Sequence, residues 1–142
     1  MVKVIIKKII RAERQHVFDV IANYENFASI LPQYFKSIRV RSIRGNTAVV
    51  EEHLQIGSRE LVMMTKHVTT YPETHTVTVI GGDAKGSRFV EHFSKIQEGT
   101  HLVVEADIKL SGTMKLAGIF GKRKIVSEFS KIIDEFARIA ES

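Results

Sequence analysis

The chain has no cysteine among its 142 residues. That excludes disulfides, a thiolate nucleophile and any metal held by sulfur. It also lacks an apolar run approaching the ~20 residues of a membrane-spanning helix. Met1 to Ile6 enters an alternating strand pattern at once, without a signal peptide's cleavage region, so a cytoplasmic protein is expected. No internal repeat, low-complexity segment or linker divides the sequence. A single domain over residues 1–142 is expected, large enough to bury about 70 % of its unfolded surface.

Chemical motifs are scarce as well. Gly81-Gly82-Asp83-Ala84-Lys85-Gly86 lacks the phosphate-loop order and reads as a hairpin, and no serine nucleophile motif occurs. The histidines (His16, His53, His67, His75, His92 and His101) show no ligand spacing on any one element. His92 and His101 are expected as outward-facing cross-strand neighbours beside Glu105, solvated surface histidines in the absence of a ligand cluster. Neither a metal nor a cofactor is expected.

What is present is ordinary for a globular protein: 44 % apolar and 26 % charged residues. A net charge of +5 biases association toward anions without bearing on fold. Lys3, Lys7, Arg39 and Arg41 are expected to form a basic stripe on the convex side. Few aromatics interleave with it, which argues against nucleic acid as a partner.

The last third carries the strongest pattern. Ile125, Phe129, Ile132, Ile133, Phe136 and Ala140 fall on one stripe of a helix, with Lys131, Asp134, Glu135 and Arg138 largely away from it. Leu116, Ile119 and Phe120 point off that stripe. Gly118 and Gly121 weaken any helix there by about 1 kcal/mol each against alanine. Either the packed helix starts near Lys122, or it kinks there and presents a separate apolar patch. Beside Lys122-Arg123-Lys124, such a patch suits a cavity gate or peripheral contact with an anionic membrane.

Upstream the chain reads as strands. Val2 to Ile10, apolar on both faces, is expected between two layers. Val17, Phe18 and Ile21 mark a short helix ending near Ala22. Asn23 and Asn26 can cap a second short turn, which Pro32 stops. Strands then end at Gly45-Asn46, Gly57-Ser58, Tyr71-Pro72-Glu73, Gly81-Gly82-Asp83 and Glu98-Gly99. Short glycine-bearing turns mean hairpins, hence an antiparallel sheet and an α+β fold. Taking Glu98-Gly99 as a two-residue turn sets Lys95 opposite Leu102, Phe93 opposite Val104, Glu91 opposite Ala106 and Phe89 opposite Ile108. Phe89, Glu91, Phe93 and Lys95 then face inward. Val50, Leu54 and Ile56 share a face with Glu52, and Val77 and Val79 face in. Residues 60–70 leave two sets in competition: Val62, Met64 and Val68 against Leu61, Met63 and His67.

Val17-Phe18-Asp19-Val20-Ile21-Ala22-Asn23-Tyr24, Phe27 and Ile30-Leu31-Pro32 resemble the START-like (SRPBCC) superfamily. The branch they look most like is the polyketide cyclase/dehydrase and coenzyme-Q-binding group. Glu91-His92-Phe93, Gly99-Thr100 and Leu102 to Leu110 match its second signature, so the resemblance covers essentially the whole chain. It implies a helix-grip fold: a seven-stranded antiparallel sheet curled around the long C-terminal helix, with two short helices after the first strand and an apolar cavity inside. Members bind lipids, sterols, isoprenoid quinones, hormones or polyketides, and a minority are catalysts. One departure is Glu91, where a large aromatic is usual; a buried salt bridge with Lys95 would accommodate it.

The expected ligand is a hydrophobic small molecule such as a lipid, quinone or polyketide-like compound, carried or sensed by a monomer or weak dimer. It would be lined by Phe89, Phe93, Val79, Val104, Met114 and Phe129, with Glu91 anchoring its polar group and Glu52 as a second covered carboxylate. Leu116, Ile119 and Phe120 would gate the cavity or touch membrane. One alternative is a cyclase/dehydratase-type enzyme with Glu91 and Glu52 as acid/base groups. Another is a protein- or ribosome-binding module using the basic exterior.

Overall fold

Alternation along each strand decides which side meets the core. The computed structural model describes residues 1–109 and 121–142. In chain order it comprises β1 (Val2–Ile10), α1 (Arg14–Ile21), a 3-10 turn (Tyr24–Asn26), α2 (Phe27–Ile30), β2 (Phe35–Arg44), β3 (Thr47–Ile56), β4 (Arg59–Thr70), β5 (Thr74–Gly82), β6 (Arg88–Ile96), β7 (Gly99–Ile108) and α3 (Lys122–Glu141). The strands form one seven-stranded sheet in the order β1-β7-β6-β5-β4-β3-β2, every neighbouring pair antiparallel. Met114, Leu116, Ile119 and Phe120 lie outside the described residues.

The apolar stripe of α3 closes the concave face. Ile125, Ile132, Ile133, Phe136, Ala137 and Ala140 are buried and Phe129 is half-buried, while Lys131, Asp134 and Arg138 stay exposed. Burying a side chain such as Ile133 or Phe136 contributes roughly 1.5–3 kcal/mol. Phe27 of α2 and Phe35 of β2 meet Phe136 with ring centroids 5.2 and 6.0 Å away, and each other at 4.7 Å. At the helix's far end, Lys8 pairs with Asp134 at 2.5 Å, and the Arg11 backbone N–H donates to Glu141 at 2.9 Å. These contacts fix α3 against the start of the chain. No helix among the described residues is long and apolar enough to cross a membrane.

Several sequence expectations change in detail. β1, at a sheet edge, is covered on one face only and not between two layers: Val4 and Ile10 are buried, whereas Ile5 and Ile9 are 65 % and 52 % exposed. The β6–β7 register is displaced by two residues, pairing Phe93 with Leu102, Glu91 with Val104 and Phe89 with Ala106. Ile96 pairs with Gly99, so the turn is Gln97-Glu98. An even displacement leaves every side chain on its expected face. Gly99 sits at φ +138°, and a Cβ there would strike the Ile10 carbonyl oxygen and the Ala12 backbone. That close approach of two backbones sets where β7 begins. Asn23 and Asn26 make no side-chain capping bond. Lys3 and Lys7 lie on one sheet edge and Arg39 and Arg41 on the other, so they make no single basic stripe. His92 and His101 are diagonal neighbours across β6 and β7 as expected, with His92 Nε2 3.8 Å from Glu105.

Candidate functional site

Between the sheet and α3, along the stretch of the helix from Ile125 to Phe136, lies a cavity of about 150 Å³. Most of its wall is apolar, with Leu61, Met63, Val79, Phe89, Ile125 and Phe129 among the lining residues. The polar part of the wall is concentrated in Glu52, Thr65, His67, His75 and Glu91 on the sheet, with Glu128 contributed by α3.

Register explains how the sheet residues meet. Glu52 lies on β3, Thr65 and His67 on β4, His75 on β5 and Glu91 on β6. Thr65 stands opposite Val50, one inward position from Glu52, and His75 stands directly opposite Glu91. Their side chains therefore form a diagonal across four adjacent strands. Glu52 Oε2 lies 2.7 Å from His67 Nε2. His67 Nδ1 lies 2.8 Å from His75 Nε2, and His75 Nδ1 lies 2.5 Å from Glu91 Oε1. The Thr65 hydroxyl bonds to the Glu52 carboxylate, also lies 3.1 Å from His67 Nε2, and can donate to the Val50 carbonyl oxygen at 3.2 Å. The two imidazoles stack with centroids 5.1 Å apart and planes 19° apart.

Both histidines are 1 % exposed, and Glu52 and Glu91 are 4 % and 9 % exposed. Ionisable groups so placed are tolerated because each finds a partner. No described buried side-chain N or O lacks a hydrogen bond. Tyr24 lies over His67 at a centroid distance of 4.7 Å. Burial pushes the Tyr24 phenol above its usual value of 10.0, and the neighbouring Glu25 carboxylate adds to the rise. Across the cavity, Glu128 is held 3.4 Å from both Lys124 and Lys131. Among the described residues, no cluster of three or more His, Cys, Asp or Glu is arranged to hold a metal ion.

Of the residues singled out from sequence, Glu91, Glu52, Phe89, Val79 and Phe129 stand on the cavity wall. Phe93 and Val104 do not line it; they pack in the main core with Phe18, Leu102 and Phe136. Glu91 is hydrogen-bonded to His75. Lys95 is exposed at the end of β6, so the buried salt bridge suggested for it is replaced by a carboxylate–imidazole contact. His67, His75, Thr65 and Glu128 were missed as site residues.

No protein-family model and no curated protein matches the chain. Its structure is similar to that of a protein from Thermus thermophilus, with a TM-score of 0.81 and 13 % identity over 97 % of this chain and 96 % of the other. The Zhui aromatase/cyclase from a Streptomyces species follows at 0.79 and 12 %, over 98 % and 93 %. A START superfamily protein from Mycobacterium smegmatis matches at 0.77 and 11 %, over 99 % and 95 %. At such identities the likeness is one of fold. The chain has a helix-grip fold, an antiparallel sheet gripping a C-terminal helix, which it shares with the aromatase/cyclase and the START superfamily protein.

Proposed function

We propose that this chain binds a small hydrophobic molecule between its sheet and α3. The observation that carries the reading is the cavity: a mostly apolar wall with its sheet-side polar groups gathered on one diagonal. A pocket so built draws affinity from apolar burial, at about 25 cal/mol per Å², and orientation from its few polar groups. A dry cavity of about 150 Å³ is known to admit a guest the size of benzene. The structural likeness to an aromatase/cyclase and to a START superfamily protein is in keeping with such a ligand. Native mass spectrometry of the protein purified from its own host tests the proposal. A co-purifying small molecule, released on denaturation, is expected; protein of bare chain mass that takes up no lipid, quinone or polyketide offered to it would overturn the reading.

A second reading, an enzyme of cyclase/dehydratase type, is favoured by one specific arrangement. Glu52 and Glu91 stand on the same wall and are joined through two histidines. Glu91→Gln separates the two. A carrier keeps most of its ligand affinity, whereas a catalyst loses turnover with binding intact.

A further inference from the structure

Every side-chain donor on the described cavity wall is already committed. His67 spends Nε2 on Glu52 and Nδ1 on His75, and His75 spends its other nitrogen, Nδ1, on Glu91. The Thr65 hydroxyl is held by the Glu52 carboxylate and the Val50 carbonyl oxygen. The acceptors are not used up. These bonds occupy Glu52 Oε2 and Glu91 Oε1, and none among the described residues reaches Glu52 Oε1 or Glu91 Oε2. No fully buried side-chain oxygen among them lacks a partner, so both of these oxygens keep some accessible surface. Glu52 and Glu91 are buried residues that line the cavity, and the cavity is where that surface opens. On the facing wall Glu128 adds another acceptor group, and its partners Lys124 and Lys131 do not line the cavity.

The free oxygens remain acceptors however the hydrogens within the diagonal are arranged. Two neutral imidazoles supply two N–H groups for three links. A third hydrogen that completes the set lies in a link, and so not on Glu52 Oε1 or Glu91 Oε2. The wall thus offers a guest lone pairs and no donor.

We propose that the cavity selects a neutral hydroxyl compound, an alcohol or phenol with an apolar body of about one ring, whose O–H donates to Glu91 Oε2. The proposal rests on the binding reading above and deepens it by naming the polar group of the ligand. Glu91 is the more open end: its side chain is 12 % exposed against 5 % for Glu52, whose carboxylate also holds Thr65. A ketone, quinone or carboxylate would set its own lone pairs against those of the wall, with no donor to answer them. An ammonium has the opposite fault. Glu52 and Glu91 stand three strands apart, about 14 Å at the usual strand spacing, so a small guest reaches one of them and not both. Of three N–H groups, only one would then find a free oxygen, and the charge would be desolvated for it. A hydroxyl has one hydrogen to give, which matches what one end can accept.

Three rings of nearly equal size isolate the polar group. Cyclohexanol donates, cyclohexanone only accepts, and cyclohexylamine is an ammonium in neutral buffer. Chemical-shift titration of the unaltered protein measures Kd for each. Cyclohexanol is expected to bind about tenfold or more tightly than either of the others, and its C1 proton to show intermolecular NOEs to the Glu91 side chain. Glu91→Leu, which removes both oxygens, should still bind the rings but bring cyclohexanol within about threefold of cyclohexanone. Should that variant fail to fold, the NOEs in the unaltered protein assign the oxygen. Equal binding of cyclohexanol and cyclohexanone, or a preference for the ketone, overturns the donor requirement and leaves the hydrophobic-binding reading standing. Tightest binding of cyclohexylamine overturns the neutral ligand, and NOEs to Glu52 without Glu91 overturn the choice of anchor. Binding of none of the three overturns the hydrophobic-binding reading for a guest of this size, and this proposal with it.

Discussion

Glu91 and His75 face each other across β5 and β6, and both are buried. Glu91→Ala should therefore cost about 1–3 kcal/mol, the penalty for a buried donor left unpaired. Glu91→Gln, which keeps an oxygen to accept from His75, should cost less, and urea denaturation of the two variants checks the order. Tyr24 offers a second residue-scale test. Its phenol is held above the usual value because burial and then Glu25 disfavour the phenolate. The folded state thus holds this proton more tightly than the unfolded chain. The resulting stability is complete below about pH 10 and is lost as pH climbs through the folded-state value. Tyr24→Phe should flatten that alkaline decline in thermal midpoint, and ultraviolet titration should lose its latest-ionising tyrosine.

At the scale of elements, two phenylalanines on one helix face serve different ends. Both line the cavity, but Phe136 is 4 % exposed and touches rings on both α2 and β2, whereas Phe129 is half-buried and stacks on Phe89 at 5.3 Å. Phe136→Ala should cost about 3–5 kcal/mol, the range for a core aromatic. Phe129→Ala should cost less because Phe129 is only half-buried to begin with, and should enlarge the cavity; chemical denaturation and the size of guest accepted check both. The α3 stripe was legible because a 3.6-residue period survives without knowledge of partners. The face of β4 was also recoverable in principle. Gly57-Ser58 is a two-residue turn pairing Ile56 with Arg59, which sets Leu54 opposite Leu61, Glu52 opposite Met63 and Val50 opposite Thr65. Once β3 faces in through Val50 and Leu54, β4 must face in through Leu61, Met63, Thr65 and His67. Periodicity alone missed this because β4 is apolar on both sides, with Val62 44 % exposed.

For the whole molecule, the order of elements was readable, since each hairpin turn contains or adjoins a glycine or proline. The site was readable only in part. Glu52 and Glu91 showed as carboxylates among apolar neighbours, but His67 and His75 belong to different strands and come together only when both registers are known. Phe93 and Val104 share the inward face with the cavity residues yet sit toward the α1 end, where Phe18 fills the space at a centroid distance of 4.9 Å from Phe93. An inward face is therefore not yet a cavity wall; position along the strand decides between them. The sheet and α3 are packed solidly at that end and leave a void at the other. A guest that occupies the void binds only the folded chain, so it must raise stability by RT ln(1 + [L]/Kd), about 2.7 kcal/mol at a hundredfold excess over Kd. The thermal midpoint should rise with the concentration of a fitting ring such as cyclohexanone. Phe129→Ala should shift the preference toward a larger guest, whereas Val104→Ala, at the packed end, should lower stability without changing which guest is preferred. Equal shifts in preference from the two variants would mean that the void does not set ligand size.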